Sequence, residues 1–271
     1  MRDFPFPVSA ATAAHFEAWT AAPGEPPPPK LAATVLLLRD ADAGAVEVFM
    51  QRRVASMAFA ARKAVFPGGS VDPGDREELP WSGPPAADWA AALGIDRADA
   101  AALIAAAIRE LFEEAGVLLA GPAGGGDGRP AAEWLAQERG RILAREATIA
   151  SVLRDGDLVA RTDLLGFHAH WITPEVEPRR YDTFFFTALC PPGQHADDQT
   201  PEAESAEWID PAAMLRDERP ALMPPTIVCL EDVAAATSAA GLVRMRRDVQ
   251  VIQPVPVRHG DRWAMRMQVR P

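Results

Sequence analysis

Three carboxylates lie close together in the segment Arg109-Glu110-Leu111-Phe112-Glu113-Glu114-Ala115-Gly116-Val117. In a helix, at about 100° per residue, Glu110, Glu113 and Glu114 project within about a 100° arc. Like charges so placed repel unless a cation or a neighbouring base offsets them. Hard oxygen donors suit Mg²⁺ or Mn²⁺, which keep several waters and take further ligands from substrate phosphates. Read this way, Glu110, Glu113 and Glu114 form a metal-binding, catalytic face, with Arg109 able to fix one glutamate by pairing with it. The plainer alternative is a solvated acidic helix face. Leu111, Phe112 and Val117 supply the apolar anchoring that a positioned site needs.

The elements around this segment have to hold it in place. The pattern predicts a helix from Asp99 through Ala115, stopped by Gly116. Upstream, Phe66-Pro67-Gly68-Gly69 permits close backbone approach, so that the Gly69 carbonyl could join a metal shell and the amides of Gly68 and Gly69 could meet phosphate oxygens. Arg52, Arg53, Arg62 and Lys63 flank this turn and Arg180 stands further on, beside Arg179. All are candidates for phosphate binding, or ordinary surface charges. Leu31 to Arg39 and Val46 to Arg53 read as a hairpin, and Ala64 to Val71 as an extended segment broken by Pro67-Gly68-Gly69. Leu158 to Ile172, Tyr181 to Leu189 and Ala206 to Ile209 read as strands. Ala131 to Arg145, Ile149 to Leu153, Pro211 to Arg216 and Thr226 to Ala239 read as helices. The first thirty residues, ending in Pro26-Pro27-Pro28-Pro29, offer little scope for regular structure, residues 76–98 look irregular, and the last thirty look extended. Intermixed strands and helices favour an α/β class.

Composition narrows the function classes. Hydrophobic residues make up 48%, which excludes global disorder, and the apolar runs are too short to span a bilayer. A formal charge of −11 argues against a nucleic-acid coat protein. Cys190 and Cys229 form no CxxC pair, and the N-terminus shows no signal-peptide pattern, so a soluble, intracellular protein is expected. His168 and His170 alternate on a strand; Zn²⁺ ligation lacks an evident third ligand, and packing is preferred. Phe184-Phe185-Phe186 reads as sheet core rather than an adenine platform, and Trp81 and Trp89 as local packing. The stretch 243–271 holds seven arginines against two aspartates. It could fold over the site, meet a second subunit in a homodimer, or lie exposed.

These motifs carry a family resemblance. Arg109 through Val117 matches the second half of the Nudix box at every defined position, and Gly69-Ser70-Val71-Asp72-Pro73-Gly74-Asp75 resembles its first half. Two departures stand out. Asp75 replaces the usual glutamate, and residues 76–108 separate it from Arg109 where the box has seven residues. A loop inserted before the helix is tolerable, since closure entropy grows slowly with length. The interrupted box, Met57-Ala58-Phe59-Ala60, and Trp171-Ile172-Thr173-Pro174 with Arg179-Arg180-Tyr181-Asp182-Thr183 resemble the coenzyme A diphosphatase-like subgroup of peroxisomal motif-19 type. The resemblance implies a Nudix fold, a mixed β-sheet sandwiched between helices, over a single domain 1–271 with an insertion at 76–98 and a C-terminal extension at 243–271. It implies a small-molecule nucleotide substrate, a nucleoside diphosphate linked to another moiety, hydrolysed with Mg²⁺ or Mn²⁺ held by Glu110, Glu113, Glu114 and the Gly69 carbonyl. The base would be one of these glutamates, or Glu202 or Glu204 from a later loop. Coenzyme A or acyl-CoA is the favoured substrate; ADP-ribose, NADH or another dinucleotide, or a catalytically weak nucleotide-binding regulator, are the alternatives. The chain ends Val269-Arg270-Pro271, unlike a peroxisomal signal, so cytoplasmic placement is expected.

Overall fold

The computed structural model describes residues 1–5, 8–41, 44–54, 63–125, 130–200, 203–219 and 222–269. In chain order the elements are β1 (Arg2–Pro5), α1 (Ala10–Ala21), β2 (Lys30–Asp40), β3 (Val46–Arg53), β4 (Ala64–Val65), β5 (Gly68–Ser70), a 3₁₀ turn (Pro73–Arg76), β6 (Trp81–Ser82), α2 (Ala86–Leu93), α3 (Arg97–Ala115), β7 (Ala120–Pro122), α4 (Ala132–Leu143) and α5 (Ile149–Asp155). There follow β8 (Leu158–Arg161), β9 (Leu165–Ile172), β10 (Tyr181–Leu189), β11 (Ala203–Ile209), α6 (Pro211–Asp217), α7 (Pro224–Ala234), α8 (Ala239–Arg244), β12 (Val251–Ile252), β13 (Val255–His259) and β14 (Arg262–Met267).

The main sheet runs β11-β3-β2-β10-β9-β12, with β4 beside β3 and β5 beside β2. Strands β2 and β10 are parallel along their whole length, from Lys30 opposite Tyr181 to Leu38 opposite Leu189. The other edge of β2 is shared: Ala32 to Thr34 pair with β5, and Leu38 to Asp40 pair with β3. The near-continuous apolar run of β2 follows from burial on both faces. Ala33, Val35 and Leu37 point into the core beneath α3, while Leu36 and Leu38 point into a second core with Phe4, Phe16 and Trp263. The mixed sheet is thus sandwiched between helices and holds α3 against one face.

The regularity of α3 has local causes. Asp96 caps it by accepting from Asp99 N–H at 2.8 Å, and Gly116 ends it in the left-handed region at φ 70°. Ala100, Ala102 and Ala105 to Ala107 are fully buried small residues that let the helix lie close to the sheet.

Several expectations need correction. The first thirty residues contain β1 and α1, because β1 pairs with β14 and Phe16 is buried against Trp263, partners from the opposite end of the chain. Residues 76–98 are ordered rather than irregular: they hold β6, α2 and the first two residues of α3. Trp89 does more than pack a loop, since it meets Phe186 of the main sheet edge-on at 5.9 Å. The expected strand from Leu158 to Ile172 is two strands joined by a 3₁₀ turn at Thr162–Leu164, and the helix expected from Thr226 to Ala239 ends at Ala234. Among the described residues no helix is long and apolar enough to cross a membrane.

Candidate functional site

The site is built on a buried charge network centred on Arg109. Its guanidinium donates to Asp75 through Nε (2.8 Å) and Nη2 (2.9 Å), and to the Ser70 carbonyl at 3.0 Å. The remaining Nη1 serves Glu110 at 2.8 Å and Glu113 at 3.3 Å. All of the arginine's donor capacity is used, and the fork-to-fork pair with Asp75 ties the turn after β5 to α3. Asp75 in turn accepts from Asp72 N–H at 2.8 Å. Burial pulls the Arg109 pKa down, but Asp75, Glu110 and Glu113 more than offset it and the net shift is upward.

Burial pushes the Glu110 carboxyl up to about 7; Arg109 works against the shift, while Glu113 and Asp75 add to it. Glu113 is raised by burial too, with Arg109 again opposing. Glu114 accepts from Gly68 N–H at 3.0 Å and is in close contact with the Gln51 amide. Gly69 faces Glu110 so closely that a Cβ there would overlap its carboxylate, and a Cβ on Gly68 would meet the Ala33 carbonyl at 2.5 Å. Glycine is therefore a packing requirement at Gly68, where the obstacle is backbone, while at Gly69 a Cβ would displace the Glu110 carboxylate. Gln51 escaped the sequence reading; the only hint was a polar residue continuing the buried run Val48-Phe49-Met50.

The network opens into a cavity of about 980 Å³. One end carries the carboxylates, Gly69 and the Asp72 turn. The other is apolar, with Trp171, Phe185, Leu222, Met223 and Met265. Six carboxylates line the cavity (Asp72, Asp75, Glu110, Glu113, Glu114, Glu177) against four cations (Lys63, Arg109, Arg145, Arg179). An anionic ligand could not enter favourably without added positive charge. Two further observations fit a divalent cation: the Glu110 carboxyl is hard to ionise as it stands, and Gln51 Oε1 beside Glu114 is buried with no hydrogen-bond partner. Among the described residues no group of three His, Cys, Asp or Glu is already gathered at ligand geometry. Glu110 would have to exchange Arg109 for the ion.

The family model of the NUDT19 Nudix domain matches residues 92–228, just over half of the chain. The chain is a Nudix hydrolase. The match begins beyond Gly69 to Asp75, the stretch that resembles the first half of the Nudix box; the Arg109–Asp75 pair ties that stretch to α3. A Nudix hydrolase from Alicyclobacillus acidocaldarius is similar at 26% identity, over 80% of this chain and 96% of that one, with a TM-score of 0.61. A MutT protein from Methanosarcina mazei aligns at 14% identity over 76% of this chain and 93% of that one, with a TM-score of 0.41. No curated protein matches. Nudix hydrolases cleave pyrophosphate bonds in small nucleotide substrates and generally use divalent metal ions.

Of the residues singled out from sequence, Arg109, Glu110, Glu113, Glu114, Gly68, Gly69 and Lys63 all line the Nudix cavity. Arg52 does not: it pairs with Glu218 at 2.5 Å. Arg180 is buried and donates to the carbonyls of Thr173 (3.2 Å) and Pro27 (2.9 Å), holding the proline-rich lead-in against the sheet; its neighbour Arg179 lines the cavity instead. Glu204 is exposed on β11 and is not part of the cavity lining. Glu202, Arg62, the Arg53 side chain and the phrase Met57 to Ala60 lie outside the described residues. Phe184, Phe185 and Phe186 are all core, as expected; Phe184 and Phe186 lie in the core beneath α3, and Phe185 in the second core, where it also lines the cavity. His170 stacks on Phe184 at 3.8 Å and contacts Asp182, so its role is packing and hydrogen bonding.

Proposed function

We propose that this chain is a Mg²⁺-dependent Nudix pyrophosphohydrolase acting on a nucleoside diphosphate linked to a second moiety, with coenzyme A or an acyl-CoA favoured. The observation carrying this reading is one continuous cavity with a carboxylate-lined end and an apolar end. A dinucleotide with two polar halves would leave the surfaces of Trp171, Phe185 and Met265 without an apolar partner. A substrate whose second half is a long, largely apolar arm would cover them.

Glu110, Glu113 and Glu114 would hold the metal, with the Gly69 carbonyl as a further ligand. When bound, the ion neutralises phosphate oxygens and lowers the pKa of water. The chain's own residues supply placement. Arg109 sets the height of α3 against the glycine strand, Gln51 and Gly68 N–H orient Glu114, and one of the three glutamates accepts the proton of the attacking water. We read residues 1–271 as one domain, because the cavity draws on both ends of the chain, from Ala32 to Met265.

The test is a substrate panel of coenzyme A, acyl-CoA, ADP-ribose and NADH with Mg²⁺, scored by product mass. Cleavage of the CoA compounds to adenosine 3′,5′-bisphosphate and a 4′-phosphopantetheine product supports the reading. Rapid cleavage of ADP-ribose with CoA untouched overturns the choice of substrate.

A further inference from the structure

The connection between α4 and α5 places an arginine where the backbone favours glycine. α4 ends in a Schellman motif: Glu146 N–H donates to the Arg141 carbonyl and Arg145 N–H to the Ile142 carbonyl, both at 2.8 Å. Such a motif puts the residue after the cap in the left-handed region, which glycine occupies without a Cβ clash. This chain follows that habit at α2 and α3, which close on Gly94 at φ 69° and Gly116 at φ 70°. At α4 the position belongs to Arg145, at φ 59°. Among the described non-glycine residues only Asp157 shares a positive φ, and aspartate is a residue type whose short polar side chain can offset it by local hydrogen bonding. Arginine has no such compensation, so the connection carries strain that the fold does not need.

Contacts within the protein do not account for the choice either. The Arg145 side chain is 85% exposed, and the ion pair it makes, to Asp72, is 3.7 Å long. A surface pair of that length contributes little. Yet Arg145 stands on the wall of the cavity, on a connection seated against the first half of the Nudix box, where the Thr148 methyl packs over Gly74. Of the cations lining the cavity, Arg109 is consumed by Asp75, Glu110 and Glu113. Arg145 is offered outward, beside the carboxylate end, on a backbone fixed by two hydrogen bonds.

We propose that Arg145 binds the substrate's pyrophosphate, its planar guanidinium taking two phosphate oxygens, and that the left-handed backbone is retained to aim it there. The proposal deepens the hydrolase reading and rests on it for the nature of the ligand.

The test uses the full chain, Mg²⁺ and α,β-methylene-ADP, whose bridging P–C–P unit cannot be hydrolysed. Arg145→Gly should raise the melting temperature by a few degrees, by relieving the backbone, and weaken binding of the analogue by roughly tenfold. Arg145→Lys, which keeps charge but not the fork, should fall between wild type and Arg145→Gly in affinity with no gain in melting temperature. Equal binding by Arg145→Gly and wild type overturns the proposal, as does failure of both to bind. A lowered melting temperature alongside weaker binding also overturns it, because that marks Arg145 as a structural prop. Turnover is scored separately. A wild type that binds the analogue through Arg145 but cleaves no member of the substrate panel removes the hydrolase reading and leaves Arg145 as a phosphate-binding residue.

Discussion

The two ends of the cavity are built on different physical terms. At the carboxylate end, charge is buried and held by geometry: Arg109, Asp75 and Glu110 are each less than a tenth exposed, and every donor of the arginine is spoken for. At the apolar end, Trp171 and Phe185 stand on the paired strands β9 and β10, Leu222 and Met265 come from later in the chain, and the side chains meet by packing. A hydrogen-bonded charge network tolerates little displacement, whereas a hydrophobic wall can be repacked if its volume is kept. The first suits chemistry common to a family and the second suits choice among substrates.

Substitutions should separate the two ends. The largest effect is expected for Glu114→Gln, with kcat falling about a thousandfold in steady-state assays with Mg²⁺ and circular dichroism unchanged. Retained turnover would move the chemistry away from α3. Next comes Arg109→Ala, which leaves Asp75 and Glu110 without their cation and should cost about 3–5 kcal/mol in urea denaturation. A loss below about 1 kcal/mol would mean that the two halves of the box are held together by something else. At the apolar end Met223→Ser should raise KM for an acyl-CoA by roughly tenfold at most while leaving ADP-ribose kinetics unchanged. Equal effects on both substrates would erase the proposed division of labour.

A further effect concerns pH. Glu110 has a folded-state pKa near 7, above its ordinary value, so between about pH 4.5 and 7 the folded chain binds more protons than the unfolded one. Stability should therefore fall as pH rises through that window. Added Mg²⁺ should flatten the fall by stabilising the carboxylate. Melting curves at pH 5, 6 and 7.5, with Mg²⁺ or with chelator, check both signs, and a melting temperature that rises with pH in chelator would contradict the assignment.

How much of this was legible in the residues differs from place to place. The face of Glu110, Glu113 and Glu114, the end of α3 at Gly116 and the β2–β3 hairpin could be read from spacing, because each rests on a local period or a local backbone preference. Gln51, Phe185 and Arg145 could not. Gln51 belongs to the site only because β3 lies beside the glycine strand, and Phe185 only because the pleat turns it away from Phe184 and Phe186. Arg145 required knowledge of a backbone dihedral. Arg52 and Arg180 were misjudged for the reverse reason: an arginine's identity does not reveal that Glu218 or two backbone carbonyls are its partners.

Sequence alone determined that Glu110, Glu113 and Glu114 stand together, since helical periodicity places three carboxylates on one side wherever the helix sits. Tertiary structure decided how the separated halves of the box meet, through the Arg109–Asp75 pair across residues 76–108, and which surface forms the far wall of the cavity. The physical reason is that local order follows from the conformational preferences of adjacent residues. Long-range pairing and burial instead depend on how both faces of one sheet are covered, and that is a property of the whole chain.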